Sequence, residues 1–558
     1  MSFATKADVD AVGNEMPWVE RSVSKTMYEF INSVAERHGK RPGISFQLTS
    51  GPKDKAETLS WQEFRDKSVQ AANLFRQLGI GEKDVVAYLL PICNEAALTL
   101  IGGSIAGIAN PINPLLEPEQ IAAILRETNA KVLVTLTGFP KTDLAQLAAD
   151  AVAEAPNVET VLEVDLNRYL SPPKSWIVPL IRPKVNVNHS ARVMNFNIEL
   201  DKHNLSLNFD DAADDRVAAY FHTGGTTGMP KVAQHKYSGM VYNGWLGDRL
   251  LFKPEDTIIC PLPLFHVFAC HVILMAMISS GAHVVFPTPQ GYRGDGVFDN
   301  FWKLIERWNV SFMITVPTAI SALMQRPIDA DVSSLRTAFS GSAPLPVELF
   351  KKFEKATGVE IVEGYGLTEA TCLVSCNPDQ GLKKVGSVGL PLPHTNVKIL
   401  MDTADGPKEC NRDEIGEICI ENPGVYAGNT YTELAKNDNL YHFETYLRTG
   451  DLGRIDEDGY LWITGRAKDL IIRGGHNIDP AEIEEALAGH EAVGFAGAIG
   501  QPDAHAGEIP CAYVELVGGG SATPEELIEF VNARVSEKAA QAKYIEILPE
   551  LPKTAVGK

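Results

Sequence analysis

No two of the eight cysteines form a CxxC pair, and none stands with histidines at zinc-ligand spacing. Cys93, Cys260, Cys270, Cys372, Cys376, Cys410, Cys419 and Cys511 are scattered, which excludes a disulfide scaffold and reads as reduced, mostly buried thiols. Basic charge is also short, since 50 Lys and Arg against 71 Asp and Glu leave a net charge of −21. The resulting field repels phosphate backbones and anionic membranes, so nucleic acid is not an expected partner. A small anion remains one, because local amides and a few cations hold a phosphate whatever the net charge. The opening stretch MSFATKADVDAVGNEM is polar and acidic where a secretory leader is basic and then apolar, so cytoplasm is the expected compartment. Long hydrophobic runs are nearly absent. Thr257 to Tyr292 carries no charged side chain, and Val267 to Pro287 is long enough to span a bilayer. That run nevertheless contains His271, His283 and a Ser279-Ser280-Gly281 break, which favour a buried helix followed by a buried strand.

The 558 residues correspond to three or four folding units, and 45% apolar with 22% charged residues is globular composition, not low complexity. Short apolar runs alternate with helical patterns: a strand at Val85 to Leu90, a helix at Asn94 to Gly107, a strand at Lys131 to Thr135. The rhythm returns at Phe301 to Asn309, Phe312 to Val316, Ala319 to Gln325, and Pro346 to Thr357 before Ile361, which argues for α/β layers. Leu166 to Leu205 breaks it. Four prolines stand there among basic and apolar residues, so the segment reads as an insertion, either a solvated loop or a surface for a membrane or partner. After Gly416 the pieces are β-rich, and Gly465-Arg466 reads as a boundary. Beyond it a helix from Pro480 to Ala488, a strand from Ala512 to Val517 and a helix from Pro524 to Lys538 make a small α+β unit.

Chemistry concentrates in three clusters. Thr223-Gly224-Gly225-Thr226-Thr227-Gly228 puts three glycines and three threonines in six positions, with Lys231 following, and exposes amides and hydroxyls suited to an oligophosphate. It is not a P-loop, because Pro230 precedes the lysine and Val232 follows it. A glycine-rich hairpin turn is the plain alternative. Glu363-Gly364-Tyr365-Gly366-Leu367-Thr368-Glu369 combines an aromatic that can stack on a base, glycines permitting close approach, a hydroxyl, and a carboxylate suited to Mg²⁺. Arg448-Thr449-Gly450-Asp451 puts a carboxylate in a turn, where its oxygens can accept both hydroxyls of a ribose or simply cap a helix.

Taken in order, the segments FHTGGTTGMPK, PLPLFHVF, SGSAPLP, EGYGLTEAT, YLRTGDLGRIDEDGYLWITGRAKDLIIRGGHNIDPAEIE and LPKTAVGK resemble the AMP-forming acyl-CoA synthetases of the adenylate-forming superfamily. The resemblance runs from about Tyr28 to Lys558. It implies an α/β fold in which residues 1–465 form a large N-terminal domain of layered subdomains with a small β-barrel-like part. Residues 466–558 would form a small mobile α+β domain. The loop from Thr223 to Lys231 would cover the ATP β- and γ-phosphates, and adenine would lie between Ser342-Ala343-Pro344 and Tyr365. Gly364 and Gly366 would flank it. Thr368 would bind the α-phosphate, Glu369 would hold Mg²⁺, Asp451 would take the ribose hydroxyls, and Arg466 would reach the ribose and phosphate. Lys468 occupies the hinge position. Lys558 matches the lysine that bridges the substrate carboxylate and the α-phosphate. Gly474-Gly475 would lie against the pantetheine arm of CoA.

By position His266, Val267, Phe268, Ser340, Gly341, Gly364 and Leu367 would line the acyl pocket, His266 as a gate or neighbour of the carboxylate. The implied reaction joins a carboxylic acid, best a medium- or long-chain fatty acid, to AMP with release of pyrophosphate, and then to CoA. Neighbouring readings are a ligase for aryl or other acids, a ligase loading a carrier protein, and a silent nucleotide-binding protein. The family runs on past its lysine with a short basic tail, whereas this sequence stops at Lys558. Nothing in the sequence fixes whether one copy or a dimer is the working unit.

Overall fold

The computed structural model describes residues 3–21, 23–211, 214–223, 230–466, 469–473, 476–503, 506–535 and 538–552. Four sheets organise these residues, and helices cover the first two. A seven-stranded sheet runs in the order Arg192–Asn195, Thr160–Val164, Ala130–Leu136, Val85–Leu89, Ile108–Pro111, Val217–His222, Val232–Lys236. All its pairs are parallel except the last. The nine-stranded sheet has a parallel centre from Ile361–Leu367 through Thr337–Ser340, Phe312–Thr315, Thr257–Ile259 and His283–Phe286 to Pro42–Gln47, with antiparallel strands at both ends. The central strands are buried on both faces, which is why they read as continuous apolar runs rather than alternating ones.

Local signals explain the helices between them. Ser60 and Glu63 close a capping box on Trp61–Gln77, the Ser60 amide donating to the Glu63 carboxylate at 2.8 Å. Proline opens Pro480–Ala488, with the Asp479 carboxylate accepting from the Ala481 amide at 2.9 Å. The uncharged run is a buried wide-turn helix at Phe268–Met275 that continues as Ala276–Ser280. It stops at Gly281 with φ +78° and passes into the strand His283–Phe286. No helix among the described residues is long and apolar enough to cross a membrane.

The β-rich part, expected to be barrel-like, is a six-stranded antiparallel sheet. Its order is Gly406–Glu409, Asn396–Thr403, Gly416–Glu421, Tyr446–Ile455, Tyr441–His442, with Leu461–Arg466 on Tyr446–Ile455. Its own core joins Tyr365, Ala370 and Val374 to Ile418, Leu447 and Leu461. The C-terminal residues form a five-stranded sheet around Gly507–Leu516, with a separate core that includes Ile483, Leu487, Val514, Leu527 and Val531. The helix expected to reach Lys538 ends at Asn532, whose side-chain amide donates to the Ala542 carbonyl at 3.2 Å and whose carbonyl accepts from the Gln541 side chain at 3.5 Å; residues 536–537 lie outside the described residues. The segment 166–205 is more than a loop. It holds helices at Lys174–Ile181 and Phe196–Leu200 and supplies Arg192–Asn195 as the edge strand of the seven-stranded sheet.

Candidate active site

Strand Ile361–Leu367 and the turn Thr368–Ala370 carry most of the second cluster, and each functional side chain on them is fixed by a different element. The backbone there is crowded enough to require glycine. A Cβ on Gly364 would run into the ring of Phe339, and one on Gly366 into the Cys372 carbonyl. The Tyr365 hydroxyl donates to Asp451 Oδ2 at 2.5 Å, and Arg466 Nε donates to Oδ1 at 3.0 Å. Asp451 and Arg466 are register partners on adjacent antiparallel strands, so sheet pairing brings them together. Burial and the adjacent carboxylate both hold the Tyr365 phenol well above its ordinary range, so it stays a donor.

Thr368 is anchored through its carbonyl. His235 Nε2 lies 2.7 Å from that oxygen, which only accepts, so Nε2 carries the proton. Nδ1 of His235 is then the acceptor for His271 Nε2, 3.0 Å away. Both rings are buried, and burial pushes His235 down to about 4 and His271 well below its usual value, so the pair stays neutral. Phe221 stacks on His235 at 5.0 Å between ring centroids.

Glu369 Oε1 accepts from the Tyr431 hydroxyl at 2.5 Å, and the Lys231 ammonium sits 4.7 Å over the Tyr431 ring. Burial and Glu369 raise the Tyr431 phenol, keeping it protonated. Glu369 makes no ion pair among the described residues, so a hard, half-buried oxygen donor with one oxygen held in place fits a divalent cation. Thr223 and Lys231 close the neck of a hairpin, the Thr223 amide donating to the Lys231 carbonyl at 2.8 Å where two antiparallel strands meet. The second of these strands also pairs with the chain at Tyr431.

Ser342 has φ +72°, and Ala343 and Pro344 follow it toward Leu345, whose backbone faces Glu363. Phe268, Gly341 and Gly364 meet: a Cβ on Gly341 would lie 3.3 Å from the Phe268 ring and 3.4 Å from the Gly364 carbonyl. Ser340 Oγ is buried without a hydrogen-bond partner among the described residues. The backbone N–H of Phe268 donates to His266 Nδ1 at 3.3 Å. Val267 packs in the main core, whereas Leu367 packs with Tyr365 and Ala370 in the smaller one. Gly224, Gly225, Thr226, Thr227, Gly228, Lys468, Gly474, Gly475 and Lys558 lie outside the described residues. His235 and Tyr431 escaped the sequence reading. His235 stands four residues beyond Lys231, but its partner Thr368 is 133 residues away.

Among the described residues one group of potential metal ligands forms, Glu417, Cys419 and His442, with donor atoms within 4.8 Å of one another. Arg448 donates to Glu417 Oε2 at 2.9 Å and the Gly450 amide to Oε1 at 3.1 Å. Burial, then Glu417, pushes the Cys419 thiol up to about 12. The group is an ion-pair network that seats the turn ahead of Asp451.

The four sheets and their covering helices have the mixed α/β fold of adenylate-forming enzymes. Residues 31–429 match the AMP-binding enzyme family and residues 482–558 the AMP-binding enzyme C-terminal domain, and the chain belongs to this family of AMP-forming acid–thiol ligases. The marinolic acid–CoA ligase of Pseudoalteromonas sp. (strain SANK 73390) is 36% identical over 97% of this chain and 81% of its own. The long-chain-fatty-acid–CoA ligase of Bacillus subtilis (strain 168) is 30% identical over 98% and 95%. The crystal structure of the anthranilate CoA ligase AuaEII in complex with anthranoyl-AMP shares the fold, with a TM-score of 0.81, 24% identity, and 97% of both chains covered.

Proposed function

We propose that the protein activates a medium- or long-chain fatty acid with ATP, releasing pyrophosphate, and transfers the acyl group from acyl-AMP to CoA. One observation carries this reading: Tyr365, Thr368 and Glu369, within a single strand and turn, are held by Asp451, His235 and Tyr431 respectively. In this reading Tyr365 and the Ser342-Ala343-Pro344 segment sandwich adenine. Asp451, already oriented by Tyr365 and Arg466, keeps lone pairs for the two ribose hydroxyls. Thr368 binds the α-phosphate, and the loop from Thr223 to Lys231 covers the outer phosphates.

The carboxylic acid is ionised at neutral pH, so no general base is needed, and the barrier lies in bringing two anions together. Lys558 bridges the substrate carboxylate and the α-phosphate and neutralises charge as it develops. Glu369 would hold Mg²⁺, which would supply further neutralisation of the phosphates. The carboxylate oxygen attacks the α-phosphorus, its bond to the bridging oxygen breaks, and pyrophosphate leaves. Residues 466–558 then swing about Lys468 and present Gly474-Gly475 to the pantetheine arm, whose thiolate displaces AMP. The uncharged run from Thr257 to Tyr292 and the small residues Ser340 and Gly341 support an aliphatic substrate. So does the likeness to a long-chain-fatty-acid ligase.

Pyrophosphate release across acids from acetate through benzoates to long-chain fatty acids, each with and without CoA, tests the reading. Fatty acids should give the highest turnover, stimulated by CoA. A preference for aryl acids would move the substrate, and release insensitive to CoA would favour a carrier protein as acceptor.

A further inference from the structure

The segment Leu166 to Ile198 has the opposite charge character to the rest of the chain. It holds Arg168, Lys174, Arg182, Lys184 and Arg192 and no acidic residue, in a chain with 71 acids in 558 residues. Within it the helix Lys174–Ile181 is turned inside out. Trp176, Ile177, Leu180 and Ile181 are 69%, 47%, 84% and 59% exposed, while Val178 faces inward. Positions i, i+1, i+4 and i+5 lie on one face of a helix, so these four side chains form one apolar ridge on the surface.

The ridge is presented by a stapled frame. Arg168 pairs with Glu57 at 3.0 Å and with buried Glu95 at 2.8 Å, and the Tyr169 hydroxyl donates to Glu95 at 2.8 Å. Arg182 pairs with Asp165 at 2.7 Å at the other end. Asn167 Nδ2 donates to the Ser175 carbonyl at 3.2 Å. Two of the five bases are therefore spent on holding the segment to the domain. Lys174, Lys184 and Arg192 are exposed and make no ion pair among the described residues.

We propose that this ridge, with Lys174 and Lys184 flanking it, is a docking surface for an anionic lipid bilayer. An amphipathic helix with tryptophan and branched aliphatics on one side and lysines at its rim seats in the interface between headgroups and acyl chains. The lysines and Arg192 meet anionic headgroups. The chain's overall negative charge does not forbid this, because its field is screened within about 8 Å at physiological salt, the segment itself carries no acid, and Asp165 and Glu57 beside it are already paired with Arg182 and Arg168. The charge contrast selects the occupant: a bilayer with negative headgroups matches both the ridge and its rim. The inference stands on this surface alone and does not depend on which acid the enzyme activates.

Co-sedimentation of the intact chain with phosphatidylcholine vesicles, with and without phosphatidylglycerol, tests it. The protein should pellet with the anionic vesicles, less with neutral ones, and be released by high salt. Trp176→Ser combined with Leu180→Ser should weaken binding by about tenfold or more. Lys174→Gln and Lys184→Gln should each weaken it by about fivefold on anionic vesicles only. All variants should keep the wild-type melting temperature and ATP-dependent AMP formation, since none of these residues touches the site. Protein that stays in the supernatant with both vesicle types would overturn the proposal, as would variants that bind like wild type. Concentration-dependent dimers in sedimentation velocity that Trp176→Ser/Leu180→Ser dissolves, without vesicle binding, would assign the ridge to a second copy instead.

Discussion

The Tyr365 hydroxyl donates to Asp451 Oδ2 across 2.5 Å, joining the parallel sheet of the large domain to the antiparallel sheet that leads into the C-terminal part. Arg466 holds the other carboxylate oxygen. The pair fixes the orientation of a carboxylate that in our reading grips the ribose. Tyr365→Phe leaves the ring for stacking and removes only this bond. It should raise the KM for ATP by about tenfold to 10² with little change in kcat, the value of one hydrogen bond to a charged group. Asp451→Asn should lower kcat/KM for ATP by about 10² or more. A Tyr365→Phe enzyme with unchanged ATP kinetics would detach this bond from nucleotide binding.

His235 acts on Thr368 through one hydrogen bond. His235→Ala orphans a buried carbonyl and frees the turn, and acyl-adenylate formation should fall roughly 10². His235→Gln retains a donor and should recover most of the loss. Because burial holds His235 near 4, wild type and the Gln variant should share one pH profile from about pH 6 to 9. Equal damage from both substitutions would point to ring packing on Phe221 instead.

Glu363 makes a stability prediction with a definite sign. Burial raises its carboxyl from the ordinary 4.5 to about 7, with Glu485 adding to the shift. Between those values the folded protein binds a proton that the unfolded chain has released, so this residue's contribution to stability falls as pH rises from 4.5 to about 7 and is flat beyond. Glu363→Gln removes the effect while keeping an acceptor for the Gly386 amide. The variant should be more stable than wild type at pH 8, by up to about 3 kcal/mol in unfolding free energy, and equally stable at pH 4.5. A variant less stable at pH 8 would show the carboxylate to be satisfied in its ionised form.

Lys558→Ala separates the half-reactions. Acyl-adenylate formation should fall by roughly 10² or more, the scale of lost transition-state charge stabilisation. Preformed acyl-adenylate should still react with CoA. Equal loss in both steps would contradict the swing of the C-terminal domain.

Much of this arrangement was legible in the chain because its signals are local. Proline and Asp479 announce the helix Pro480–Ala488, and the Ser279-Ser280-Gly281 break divides the uncharged run where Gly281 adopts positive φ. What local pattern could not reveal depends on distant partners. His235 looks like any polar residue on a strand until Thr368 arrives from 133 residues away, and Tyr431 joins the candidate site only because Glu369 lies opposite it. Asn532, the last residue of Pro524–Asn532, is likewise bonded to residues 541–542, beyond the reach of helical periodicity. The ridge on Lys174–Ile181 has the reverse history. Its composition stood out at once, but only the exposure of Trp176, Ile177, Leu180 and Ile181 against buried Val178 shows which side faces outward.

The most direct test of the central claim is ³¹P NMR of the enzyme with ATP, Mg²⁺, a fatty acid and CoA. AMP and pyrophosphate should appear in equal amounts, with acyl-AMP trapped when CoA is omitted. ADP and inorganic phosphate, or ATP left unchanged with every acid, would contradict the account.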